Sequence, residues 1–157
     1  MADYLTQAIL EARYGTQRVK EFLDDDGDGV VDTTRLDAVI ADSEADVNAC
    51  LNKGYVIPIN VTDHGQRAYD AVVSLCARAA EYHMAVRRGQ VPDSVRDRYD
   101  TTLRLALEMA KGVRALPGEP PVPRTSPESS QASHRLLATT DPKPVNRVWS
   151  RDDTGNM

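Results

Sequence analysis

Apolar positions recur at helical spacing in successive blocks up to about residue 111, and glycine or polar turns mark the boundaries. Leu5, Ala8, Ile9 and Ala12 follow an i, i+3, i+4, i+7 stripe. They predict a first helix over about 4–14, with Asp3 as its N-cap and Gly15 as its stop. Thr16 opens a short second helix through Leu23, with Val19, Phe22 and Leu23 apolar. After an acidic turn, Leu36, Val39, Ile40, Val47, Cys50 and Leu51 predict a third helix over about 34–53, stopped by Gly54. Asp37, Asp42, Glu44, Asp46 and Asn48 lie mostly off that stripe. Residues 55–61 break the period. Pro58 biases Ile57 towards extended backbone, so this link either lies across the core or forms a short strand. Asp63 and Gln66 stand at capping-box spacing before a fourth helix, about 65–87. Its apolar set of Tyr69, Val72, Val73, Cys76, Ala79, Ala80, His83 and Val86 is nearly unbroken, which marks it as the central helix. Pro92 and Asp93 open a fifth helix, about 93–111, striped by Val95, Tyr99, Thr102, Leu103, Ala106, Met109 and Ala110. The pattern is all-α, a small bundle of about four to five helices.

Periodicity ends near Leu116. Seven of the nine prolines fall within 117–157, and that segment lacks the apolar surface to fold alone. The expected organisation is a helical body over 1–115 and a long extended C-terminal tail over 116–157. The tail ends in Val145-Asn146-Arg147-Val148-Trp149-Ser150-Arg151-Asp152, which holds the only tryptophan of the chain. That string reads as a docking anchor, Val148 and Trp149 seated in a partner's pocket with Arg147 and Arg151 at the rim. The alternative is an idle tail. Tyr55, Ile57 and Ile59 in the link are either core cover or a second contact surface.

Charge and chemistry narrow the classes. The net charge is −5 with no basic block, which disfavours nucleic-acid binding as the main activity. A transcription-linked protein would carry a basic recognition helix, and helix five mixes Arg96, Arg98, Arg104 and Lys111 with acids. Cys50 and Cys76 fall on apolar faces and read as small hydrophobes. The acidic start, Met1-Ala2-Asp3-Tyr4, is unlike a signal peptide, and no apolar run reaches membrane-spanning length. His64, His83 and His134 are scattered, and no nucleophile–base or metalloprotease spacing occurs, so no enzyme is expected.

The most specific local pattern is the turn Asp24-Asp25-Asp26-Gly27-Asp28-Gly29-Val30-Val31-Asp32. Carboxylates at alternate positions followed by glycine match the start of an EF-hand calcium loop. Asp24, Asp26, Asp28 and Asp32, with the Val30 carbonyl, form the candidate Ca2+ ligand set. The twelfth position, where such loops place a bidentate Glu, is Arg35. A weak cation site and a polar turn between two helices both fit. A working site would make the chain a calcium-modulated helical protein-binding module.

Several strings in order resemble the Mu-like family of small phage head–tail connector proteins, the adaptors of the neck. They are Ala12-Arg13-Tyr14-Gly15, the acidic turn, Leu51-Asn52-Lys53-Gly54-Tyr55-Val56-Ile57-Pro58-Ile59, Val95-Arg96-Asp97-Arg98-Tyr99-Asp100, and Arg147-Val148-Trp149-Ser150-Arg151-Asp152. The resemblance covers about residues 4–112 and the last dozen; 117–144 has no counterpart. It implies a structural virion protein, assembled in the host cytoplasm. Such adaptors form a ring with themselves, commonly a dodecamer, under the portal protein. They extend the channel through which genomic DNA passes, and they offer a platform to the next neck or tail component.

Overall fold

Three long helices pack on one another pairwise to make the core of the chain, which a computed structural model describes over residues 3–118. In chain order the elements are α1 (Gln7–Tyr14), α2 (Thr16–Leu23), α3 (Thr33–Leu51), α4 (Val61–His64), α5 (Gln66–Arg87) and α6 (Asp93–Ala110). No strand occurs among the described residues. The core helices are α3, α5 and α6, and α2 and α4 also pack on α5. The central helix is therefore the one with the nearly unbroken apolar run. Gly15, at φ 87°, turns the chain between α1 and α2 in a conformation that a Cβ would disfavour.

The buried stripe of α3 is Leu36, Val39, Ile40, Ser43, Glu44, Val47 and Leu51. Ser43 sits in it because its hydroxyl donates back to the Val39 carbonyl at 2.7 Å. Glu44 sits in it for a different reason, and this corrects the sequence reading that placed it off the stripe. Its carboxylate accepts the backbone N–H groups of Asp3 (2.9 Å), Tyr4 (2.8 Å) and Leu5 (2.8 Å). Residues 3–5 are thus spent on Glu44 and do not start a helix. The N-cap of α1 is Thr6, not Asp3, with its hydroxyl accepting from Ile9 N–H at 3.3 Å.

The stripe of α5 also differs from the one predicted. Leu75 and Met84 are buried while Val86 is 45% exposed. The helix is covered on several sides, so apolar residues surround it and the period alone does not fix its rotation. Cys76 is fully buried, and burial pushes its thiol far above the usual range. Cys50 is only partly buried.

The link after α3 lies across the core. Tyr55 and Ile59 are buried, and Ile57 is partly so; the Ile57–Pro58 bond is cis. Before α5 the chain makes one extra turn, α4, which the capping-box reading missed by three residues. Asn60 is the cap: its side chain accepts from Asp63 N–H at 2.8 Å and donates to the Asp63 carboxylate at 2.7 Å. Pro92 is the N-cap of α6, and Asp93 its first residue.

Tyr4 ties the N-terminal segment to this link. Its hydroxyl accepts from Ile59 N–H at 2.7 Å and donates to Asn48 Oδ1 at 3.1 Å. Burial pushes the phenol up from 10.0 to about 12, against the lowering effect of the Ile59 bond. A folded-state value above the unfolded one gives stability that is complete below pH 10 and lost as pH rises through 12. Two units correspond to about 3 kcal/mol. In urea melts, the stability gap between the wild type and Tyr4→Phe is expected to narrow between pH 10 and 12. A pH-independent gap would show that the phenol is not held in its neutral form.

Candidate functional site

The acidic turn is built between two apolar pins, Leu23 and Val31, both buried. Asp32 N–H donates to the Leu23 carbonyl at 3.0 Å and closes the loop at its base. Inside it, Asp24 accepts from Gly27 N–H (2.7 Å) and Gly29 N–H (2.9 Å), and Asp28 accepts from Val30 N–H (2.7 Å). A smaller bond runs from Asp28 N–H to Asp26 at 3.3 Å. Gly29 takes φ 79°, as the turn requires. Desolvation alone would raise the Asp24 carboxyl, but the N–H groups of Gly27 and Gly29 hold it below the usual range.

Carboxylate oxygens of Asp24, Asp26 and Asp28 lie within 4.8 Å of one another. Asp32 is not in that group; it stands at the N-cap of α3, and the Val30 side chain points to solvent at 62% exposure. The second residue of the loop turns the other way. Asp25 pairs with Arg87, with Arg35 at 3.5 Å and with Arg88 at 3.8 Å. Arg88 also donates to the Asp24 carbonyl at 2.7 Å, and Arg87 to the Phe22 carbonyl at 3.3 Å. The residue at the closing position, Arg35 on α3, is thus an ion-pair partner of the loop itself, while Arg87 and Arg88 clamp the turn to the C-terminal end of α5.

Three carboxylates without a bidentate closing ligand suit a hard cation only weakly. Calorimetric titration is expected to show no saturating calcium binding at micromolar ion. A micromolar dissociation constant would instead make the turn a calcium sensor.

Two polar clusters escaped sequence reasoning. In the first, the Asp46 carboxylate bonds the His83 Nε2 at 2.8 Å and accepts the Tyr99 hydroxyl at 2.6 Å, and Tyr99 stacks on Tyr82 at 4.0 Å. Burial, with the bond to Asp46, pushes the Tyr99 phenol far up. The cluster joins α3, α5 and α6. In the second, the buried Glu81 carboxylate pairs with Arg18 at 3.1 Å and Arg98 at 2.6 Å, tying α2 and α6 to α5. For the second the signal was present: Glu81 lies four residues after Ala77 and three before Met84, both buried, and an acid at such a position demands donors.

Among the other sequence candidates, Tyr55 and Ile59 turn inward, Ile57 is partly covered and Val56 beside them is 80% exposed. Arg147, Val148, Trp149 and Arg151 lie outside the described residues. No helix among the described residues is long and apolar enough to cross a membrane.

Residues 4–136 match the model of the family described as Bacteriophage Mu, Gp36. That span is most of the chain, and the chain belongs to this family. It is therefore a Mu-like bacteriophage protein, and the class this points to is a structural or morphogenetic one. The match runs past residue 112, into a stretch with no foreseen counterpart, and stops before the Arg147–Asp152 string. No curated protein and no solved structure matches the chain.

Proposed function

We propose that this protein is the head–tail connector, or neck adaptor, of its phage. Copies form a ring under the portal protein, extend the DNA channel and join the head to the next neck or tail component. The observation that carries this is the family match over 4–136, on a chain whose strings from Ala12 to Asp100 resemble those of neck adaptors. Two further features agree with it. A net charge of −5 suits a wall along which DNA must slide without sticking. The polar clusters lock helices together: Asp46, His83 and Tyr99 join α3, α5 and α6, and Glu81 ties α2 and α6 to α5. The role is structural rather than catalytic, and its place is the neck of the virion.

The C-terminal string is the docking element of this reading. Trp149→Ala is expected to lower occupancy of the portal-bound ring while thermal unfolding of the body is unchanged. Particles of normal occupancy would remove the docking role. Sedimentation of the chain with its cognate portal tests the ring itself.

A further inference from the structure

The acidic turn, packed against the end of α5, leaves three carboxylates without ion-pair partners among the described residues, while further back along that helix guanidiniums from three helices gather round one cleft. Arg13 from α1, Arg78 from α5 and Arg98 from α6 line a cleft of about 490 Å3 with Tyr14 and Ser74, and no acid lines it. The site is built rather than incidental. Arg13 is held by the Ser74 carbonyl (3.1 Å) and hydroxyl (3.2 Å), Arg98 by Glu81, and the Tyr14 hydroxyl donates to the Ala77 carbonyl at 2.8 Å. Glu81, the nearby counter-charge, is already shared by Arg18 and Arg98. Arg78 has no ion-pair or hydrogen-bond partner among the described residues. Each guanidinium carries five donors, so most of the donors in this cleft are unspent.

We infer that this arginine cleft binds the acidic turn of a second copy, Asp24, Asp26 and Asp28 entering between Arg13, Arg78 and Arg98. The occupant follows from charge and grouping. The turn presents three carboxylates within 4.8 Å of one another, and none of them is in an ion pair among the described residues, since Asp25 takes all three local arginines. A copy cannot fill its own cleft with its own turn. Asp25 pins the turn beside Arg87 and Arg88, and Arg88 lies about 15 Å along the helix from Arg78 at 1.5 Å per residue. A duplex is the poorer occupant, because it needs a row of phosphate contacts and the chain is acidic overall. Cleft and turn are different patches, so each copy offers one of each. Such a heterologous contact propagates head to tail and closes into a ring when the rotation permits. This inference rests on the ring reading above and names its side-to-side contact.

The test uses the full chain with its portal. Arg78→Glu and Asp28→Arg are each expected to lower ring occupancy about tenfold, the scale of a close charge pair at an interface, with unchanged circular dichroism. Arg78→Lys, mixed as labelled and unlabelled copies and treated with a zero-length amine–carboxyl cross-linker, is expected to join position 78 of one copy to Asp24, Asp26 or Asp28 of another. The cross-link is read both on the portal and with the concentrated chain alone. Wild-type occupancy with Arg78→Glu overturns the contact and leaves the ring reading standing. So do links from position 78 to other sites, or saturation of the cleft by inorganic phosphate without any link between copies. A wild-type chain that forms no ring overturns the ring reading. The cross-link with the chain alone then decides the contact by itself, and its absence overturns that too.

Discussion

Glu44→Ala is expected to lower the unfolding free energy by about 3–5 kcal/mol, the cost of stripping a buried charged acceptor from its donors. Three consecutive backbone N–H groups, of Asp3, Tyr4 and Leu5, converge on this one carboxylate. Tyr4 and Leu5 are themselves 2% and 1% exposed, so no water replaces the lost acceptor. The damage also spreads. Tyr4 holds Ile59 N–H and Asn48, and a loosened residue 4 releases the link between α3 and α4. Glu44→Gln keeps one acceptor oxygen but brings an amide N–H towards other donors, so it should lose a smaller share of the stability. Urea melts of the three proteins check this, with the midpoint falling and the slope unchanged. A loss below about 1 kcal/mol for the alanine variant, no more than a single ordinary hydrogen bond, would show that the N-terminal segment is not held by Glu44.

The second large effect is steric. A Cβ on Gly54 would stand 2.1 Å from the Ala110 carbonyl oxygen and 2.8 Å from its carbon. Both are backbone atoms at the end of α6, so no rotamer change makes room. Gly54→Ala must push the α6 terminus away from the end of α3, opening the pairwise packing around Tyr55 and Met109. The expected loss is about 3 kcal/mol or more, at the upper end for overpacking. Adding Ala110→Gly should not rescue it, because the clash is with main chain. Full rescue by that second change, or a melt like that of the wild type, would mean that the two ends do not touch.

Helical spacing made the all-α class legible, and it placed the ends of α2, α3, α5 and α6 within two residues. It failed where a long-range polar bond overrides a local preference. Asp3 has the chemistry of an N-cap, yet Glu44, far along the sequence, captures the N–H groups beside it. Asp63 is spent inside α4, whose cap is Asn60, and α5 starts instead from Gly65 with no side-chain cap. On α5 the rotation was misjudged because alanines on several faces leave the period weak, and Leu75 and Met84 rather than Val86 point inward.

The acidic turn shows a related limit. Its alternating aspartates announced a convergence of carboxylates, and Asp24, Asp26 and Asp28 do converge. What the sequence could not convey was the destination of Arg35, Arg87 and Arg88, which meet on Asp25 from two helices. Pairings of this kind depend on how helices cross, not on spacing along the chain. The arginine cleft was hidden for the same reason, since Arg13, Arg78 and Arg98 come from three helices.

Ring assembly on the portal is the claim on which the functional reading stands, and native mass spectrometry addresses it most directly. The chain is measured alone and after mixing with the portal protein of the same phage. The account predicts a small species alone that becomes a ring of fixed stoichiometry on the portal. A monomer or dimer that stays unchanged in the presence of the portal would contradict it.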